Sequence, residues 1–346
     1  MRAVLLTGYG GPDQLEYRNN VPIPELGADD VLIQVGACGV NNTDIWTRER
    51  AYSHKLEPNA VSIWPPEPMQ FPRIQGADIV GRIKAVGSNV SPSRIGERVI
   101  VDPTLYTGDE QGLLRARFMG SERDGGFAEY TAVPAENAHV INSSLSDAEL
   151  ATFPTAYVTA EHMLNRARLK SGEIILITGA SGGVGSGLVQ LAHMHGACVV
   201  AIVGSGKEEK MRQLGAEFVV ARETEKLYEA VTEATDGQPI DVVADVVGGS
   251  MFSVWLQLLH PQGRYVTAGA IAGPTVTLDL RTVYLKHLEI IGSTLGTHQE
   301  FADLVRYIES GKLKPLLAKT YPLADIKQAQ SDFKEKQFFG KLVIIP

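Results

Sequence analysis

Cysteine is nearly absent: the 346-residue chain holds two, Cys38 and Cys198. Two thiols exclude a disulfide framework, and they exclude a structural zinc closed by four thiolates within one chain. Both lie in apolar stretches, the setting of a buried, reduced thiol. Clustered positive charge is missing as well. Lys and Arg total 32 against 40 Asp and Glu, a net charge of −8, and phosphate contacts need clustered cations, so nucleic acid is not an expected partner. The longest apolar runs, such as Cys198 to Val203, fall far short of the roughly 20 residues that span a bilayer, and no membrane partner is expected. The apolar part of the N-terminus, Ala3 to Leu6, is too short for a signal peptide, so it reads as a first strand in a cytoplasmic protein.

Glycine, by contrast, is abundant: 35 residues, above the usual share of about 7%. Tight turns and close backbone approaches follow from it. At roughly 100–200 residues per domain the length predicts two domains. From Arg2 to about Val133, short apolar runs (Val31 to Val35, Ile79 to Val86, Arg98 to Val101, Phe127 to Val133) are broken by Gly, Pro and Asp, which predicts a β-rich region. From about Leu145 the rhythm changes. Strands are predicted at Glu173 to Thr178, Cys198 to Val203, Asp241 to Val247, Arg264 to Ala268 and Leu288 to Gly292, and helices at Gly183 to His195, Lys207 to Leu214 and around Phe252 to Leu259. Such alternation predicts an α/β unit, a doubly wound parallel sheet with helices on both faces. Near the C-terminus Phe301 to Ser310 reads as helix and Leu342 to Ile345 as strand. Two long irregular segments remain, Ser53 to Pro72 with five prolines and Asp102 to Gly126, and loops of that length are uncommon without a function or a lobe to build.

The sharpest motif is Gly179-Ala180-Ser181-Gly182-Gly183-Val184-Gly185, directly after a predicted strand and opening a helix. That is the context of a dinucleotide-binding turn, in which Ser181, Gly182, Gly183 and Val184 face a pyrophosphate and Gly185 permits close helix-to-strand packing. The next strand ends Val203-Gly204-Ser205-Gly206-Lys207-Glu208-Glu209-Lys210, with no acid at the turn to grip a ribose 2′-hydroxyl. Gly204, Ser205, Lys207 and Lys210 therefore predict NADPH over NADH; the alternative is that the lysines are solvated helix charges.

Further strings place the chain by resemblance. Gly76-Ala77-Asp78-Ile79-Val80-Gly81, Gly96-Glu97-Arg98-Val99, Gly125-Gly126-Phe127-Ala128-Glu129-Tyr130, Leu214-Gly215-Ala216, Val247-Gly248-Gly249 and Phe339-Gly340-Lys341-Leu342-Val343 follow one another in the order of the medium-chain dehydrogenase/reductase superfamily, which the whole chain resembles. The resemblance implies a β-rich, GroES-like catalytic domain from both chain ends (1–153 and 290–346) and a Rossmann cofactor domain (154–289), with the active site in the cleft between them. It also implies a homodimer paired through the cofactor-domain sheet near Thr275 to Leu280, and further cofactor contacts at Thr159, Gly248, Gly269, Ala270, Ser293 and Lys341.

Within the superfamily, the positions that carry catalytic zinc ligands in alcohol dehydrogenases fall on Asn41, Ala77 and Thr155. None offers the thiolate or imidazole that zinc prefers, so no metal is expected. His139, His162, His193 and His195 lack metal-ligand spacing with a partner carboxylate and read as structural. The chain is instead similar to the quinone oxidoreductase branch, with its G-V-N-x-x-D followed by R-x-G-x-Y. Asn41, Asp44, Arg48 and Tyr52 match, and Arg50 stands where that pattern has glycine. Asn41, Asp44 and Tyr52 are the expected catalytic residues. Trp64, Met69 or Phe71 would cap the pocket, or their segment is a proline-stiffened surface loop.

Oxidising a simple alcohol needs its proton removed, which zinc achieves as a Lewis acid. Reducing a quinone or an α,β-unsaturated carbonyl leaves a delocalised anion that asks only for hydrogen-bond donors and a proton. The small-molecule substrate expected is of that class. Two other readings remain open at this level: a zinc-type alcohol dehydrogenase, and a non-enzymatic NADPH-binding protein.

Overall fold

Near-continuous runs of Val, Ile and Ala after residue 170 cannot sit on a half-solvated strand; they demand burial on both faces. The computed structural model, which describes residues 1–52, 69–108 and 110–346, shows where they go. Six parallel strands lie in the order Phe218–Ala221, Cys198–Val203, Ile174–Ile177, Ile240–Asp245, Leu259–Thr267, Glu289–Gly292. Ile175, Leu176, Ile177, Val242, Val243 and Ala244 are fully buried. One face packs a cluster of Leu176, Val200, Ile202, Val243, Trp255 and Tyr265. Strand order reverses between Ile174–Ile177 and Ile240–Asp245, and in open α/β sheets ligands bind at the carboxyl ends beside such a switch point.

The chain divides into two compact units, one of residues 1–155, 297–310 and 315–346 and one of residues 156–296 and 311–314. The boundary expected at 290 thus falls at 296. The cause is the strand Glu289–Gly292, whose residues pair with Arg264 to Thr267 and so complete the parallel sheet.

The first unit holds a seven-stranded sheet in the order Leu317–Pro322, Lys341–Ile345, Asp30–Gly39, Asp78–Val86, Arg98–Val101, Ala138–Val140, with Tyr130–Pro134 also paired to Asp30–Gly39. Val343 faces Gly39 and Ile344 faces Cys38, so the end of the chain enters the sheet made by its beginning. This register carries Lys341 toward the residues that follow Gly39. The segment after Asp102 builds a small lobe with paired strands Thr104–Leu105 and Arg117–Phe118. Its anchor is His298, whose Nδ1 lies 2.6 Å from the buried Asp102 carboxylate and whose ring stacks on Tyr106.

Of the residues expected to cap a pocket, Met69 donates its amide hydrogen to the Tyr9 hydroxyl (3.0 Å) and Phe71 meets the Tyr9 ring edge-on. Trp64 lies outside the described residues, with the rest of 53–68. Among the described residues no helix is long and apolar enough to cross a membrane.

Candidate active site and cofactor-binding edge

In the first unit, Val40 closes the Asp30–Gly39 strand and Asn41 caps the helix Asn42–Arg48. Asp44, at the third helical position, accepts the Asn41 amide hydrogen at 2.7 Å, as in a capping box. This turn gathers polar groups in a place with almost no water. Asn41, Asp44, Asp78 and Lys341 are all at most 7% exposed. The Lys341 ammonium donates to Asn41 Oδ1 (2.5 Å) and Asp78 Oδ2 (2.8 Å), and Asp78 Oδ1 accepts the Thr155 amide hydrogen (2.8 Å). Lys341, expected among the cofactor contacts, therefore joins the Asn41 cluster, because strand Lys341–Ile345 runs beside Asp30–Gly39.

Burial dominates the electrostatics here. It pushes the Asp44 carboxyl up to about 7, against the pull of the Asn41 hydrogen bond and with Asp78 adding repulsion. Cys38 is raised as well, by burial and then by Asp44 and Asp78, so it stays a thiol. Tyr52, edge-on to Trp46 and beside Thr43, is held protonated by burial. Arg48 is fully buried and pins its helix to Gln330 and Gly10. Arg50 adopts φ 58°, the left-handed conformation that glycine supplies without strain at this place in the quinone oxidoreductase pattern.

The positions that would ligate zinc present an amide (Asn41), a methyl (Ala77) and a hydroxyl (Thr155), beside a carboxylate already paired with an ammonium. That donor set does not fit zinc, which prefers thiolate and imidazole. No group of three metal-ligating side chains occurs among the described residues.

The second unit collects the expected cofactor residues at the carboxyl ends of its strands. Gly182 caps the helix Gly183–Met194 without a side-chain hydrogen bond, which leaves the first-turn amides for an anion. Gly185 has no room for a side chain: a Cβ there would stand 2.2 Å from the Gly179 carbonyl oxygen. Gly248, at φ 66°, follows a hub in which buried Asp245 accepts from Thr178, Val247, Gly248 and the Tyr265 hydroxyl. Gly269 and Ala270 follow the next strand, and Ser293, whose buried hydroxyl finds no partner among the described residues, follows the last. Thr159 is buried on the helix Pro154–Arg166. These groups suit a dinucleotide: bare amides at a helix start, a glycine cradle and hydroxyls along one sheet edge.

Two residues at the second strand's turn escape the sequence reading. Strand Phe218–Ala221 ends beside strand Cys198–Val203, which delivers Arg222 and Glu223 to Gly204 and Ser205. The Glu223 carboxylate accepts from the Ser205 amide and hydroxyl at 3.1 Å and pairs with Arg222 at 2.8 Å. An acid thus stands at the turn after all, brought by tertiary pairing rather than by local sequence. Lys207 reaches Ser181 Oγ at 3.4 Å, while Lys210 is exposed on the short helix Glu208–Arg212. Burial and the like charges of Arg222 and Lys210 depress Lys207. His195 and His193, expected to be structural, bond to Glu161 and Glu217.

Comparison with known proteins follows the same division. An alcohol dehydrogenase GroES-like domain matches residues 27–143 and a zinc-binding dehydrogenase family matches residues 183–310. The quinone oxidoreductase of Mus musculus is 31% identical over 96% of this chain and 93% of its own. An NAD-dependent alcohol dehydrogenase of Sulfolobus acidocaldarius is 27% identical over 99% of both. A solved structure from Sinorhizobium meliloti 1021, provisionally described as an alcohol dehydrogenase, is 55% identical with a TM-score of 0.96, covering 100% of this chain and 96% of that one.

Proposed function

The chain belongs to the medium-chain dehydrogenase/reductase superfamily, as a nicotinamide-dependent oxidoreductase, and from that premise we propose that it is an NADPH-dependent, zinc-independent reductase of quinones or α,β-unsaturated carbonyls. The observation that carries this reading is the Asn41 cluster. It is buried, it lacks thiolate and imidazole ligands, and it holds an Asn41 Nδ2 donor with no acceptor among the described residues. When bound, the nicotinamide would supply a hydride, a proton with two electrons, to the β-carbon or quinone ring. The negative charge then gathers on the acceptor's oxygen, where Asn41 Nδ2 donates a hydrogen bond. A neutral, preorganised donor in a dry site is the device that stabilises such an anion. Tyr52, kept protonated by burial, is assigned the proton that completes the reduction.

The preference for NADPH rests on Lys207. Its ammonium is crowded by Arg222 and Lys210, a repulsion that a 2′-phosphate relieves. Glu223 on the same turn favours the second reading, an NAD-dependent alcohol dehydrogenase, as the Sulfolobus relative is named. The partner we propose is a second copy of the chain. Among the described residues, strand Glu289–Gly292 is an unpaired sheet edge with Ile290 exposed, and Leu280, Tyr284 and Leu285 are exposed on the preceding helix Leu280–Lys286; an apolar edge of this kind is normally covered. Ile290→Asp then yields a monomer by light scattering.

NADPH oxidation by the purified protein, screened against 1,4-naphthoquinone, 2-alkenals and enones, tests the activity. Turnover with any of these acceptors is expected, and Tyr52→Phe lowers kcat. One equivalent of zinc in elemental analysis, or equal dissociation constants for NADPH and NADH, overturns the zinc or cofactor assignment.

A further inference from the structure

An asparagine amide has two faces, one accepting and one donating, that differ little in shape. Which of them meets a substrate is decided by what holds the other. Lys341 is an ammonium, with three donors and no acceptor. It stands 2.5 Å from the Asn41 side chain, and only an oxygen can sit there. The carbonyl face of Asn41 is therefore turned to Lys341, and the NH2 is turned away. That NH2 is the buried nitrogen left without a partner among the described residues. Lys341 is itself held by Asp78, and Asp78 by the Thr155 backbone amide. The chain of contacts joins residues 300 positions apart in sequence and ends in one donor that nothing among the described residues uses.

We propose that Lys341 is a positioning residue. Anchored by Asp78, it locks the Asn41 amide so that Nδ2 faces the oxygen on which negative charge develops, and its charge, drawing on Oδ1, makes that N–H a stronger donor. The proposal rests on Asn41 as the oxyanion donor and adds what orients it. Removing the ammonium does more than loosen the site. Asp78 keeps the Thr155 amide on Oδ1 but loses the donor on Oδ2, and that oxygen draws the Asn41 NH2 to itself. The amide then turns its oxygen toward the developing anion, which it repels.

Three variants separate this role from a structural one, with NADPH and 1,4-naphthoquinone as probes. Lys341→Met inverts the amide and lowers kcat about 10²- to 10³-fold, as the loss of one oxyanion donor does, while the NADPH dissociation constant stays within about threefold. Lys341→Gln, which can donate to Asp78 and tolerates either amide orientation, loses about tenfold and serves if the Met variant does not fold. Lys341→Arg, again a donor without acceptors, recovers most of kcat. In an Asn41→Ala background, Lys341→Met costs nothing further; effects that multiply in full overturn the proposal.

A readout independent of turnover comes from protein labelled with ¹⁵N only in asparagine, where the Asn41 NH2 signals are recognised by their loss in Asn41→Asp. They move downfield in Lys341→Met as Asp78 accepts a hydrogen bond from them. Unmoved signals refute the locking role. Should Asn41→Ala keep full kcat, the oxyanion reading of Asn41 fails, while the signals still decide whether Lys341 sets the amide.

Discussion

The Asn41 cluster and the Gly179 to Gly185 turn are suited to their proposed ligands by opposite means. At the turn, the groups offered are backbone amides at a helix start, delivered by seven consecutive residues and needing only small side chains to be reached. In the cluster, one side-chain donor is aimed by a lysine and two carboxylates from three separated segments, all in a dry interior. A phosphate is a large fixed charge that many amides share, so a local loop suffices to bind it. A developing anion exists only in the transition state, and an oriented donor in low dielectric stabilises it better than a mobile one.

The sharpest break of this contrast is Asn41→Ala. Its expected effect is a fall in kcat of about 10²- to 10³-fold with little change in cofactor affinity, read by steady-state kinetics and fluorescence titration with NADPH. At the turn the pattern reverses. Removing Lys207 and Arg222 together raises the NADPH dissociation constant by about 10- to 150-fold, the equivalent of about 1.5–3 kcal/mol for a charge-assisted contact, and leaves that for NADH unchanged. Gly185→Ala puts a methyl where the Gly179 carbonyl stands; overpacking of this kind costs about 1–3 kcal/mol, seen as a lower melting temperature and weaker binding of either cofactor.

A finer contrast is in pH. The Asp44 carboxyl titrates at about 7 in the folded protein, above its ordinary value of 3.8, because burial disfavours its charge. Its contribution to stability is therefore complete below about pH 4 and is lost as the pH rises through about 7. Asp44→Asn retains an acceptor for the Asn41 amide and flattens the stability profile between those limits, measurable by urea unfolding at each pH. The smallest effect is at Arg50. Arg50→Gly relieves a left-handed backbone at an entropic cost in the unfolded chain and forgoes the stacking of the guanidinium over Tyr9, so its change in stability stays within about 1 kcal/mol.

Much of the sheet edge proposed for the cofactor was legible because its signals are local. A glycine string between an apolar strand and an amphipathic helix is the local context of a dinucleotide-binding turn, and Gly248, Gly269 and Ser293, implied by the resemblance, follow successive strands of the sheet. Arg222 and Glu223 were not legible. They reach the Ser205 turn only because Phe218–Ala221 pairs with Cys198–Val203, and no local pattern announces which loop a third strand will meet. The domain boundary at 296 was hidden for a similar reason, since Glu289–Gly292 is an ordinary apolar stretch until it joins the sheet.

Sequence alone determined the α/β architecture, the nucleotide-binding turn and the scarcity of zinc ligands, because each is written in residue type and spacing. Asn41, Asp44 and Tyr52 were visible as a motif, yet the motif carries no orientation. Only the tertiary structure decided that Lys341 bonds to the Asn41 amide and that the amide nitrogen is left without an acceptor among the described residues. The physical reason is that an amide's direction is set by its partner, and here that partner enters on the last strand of the chain.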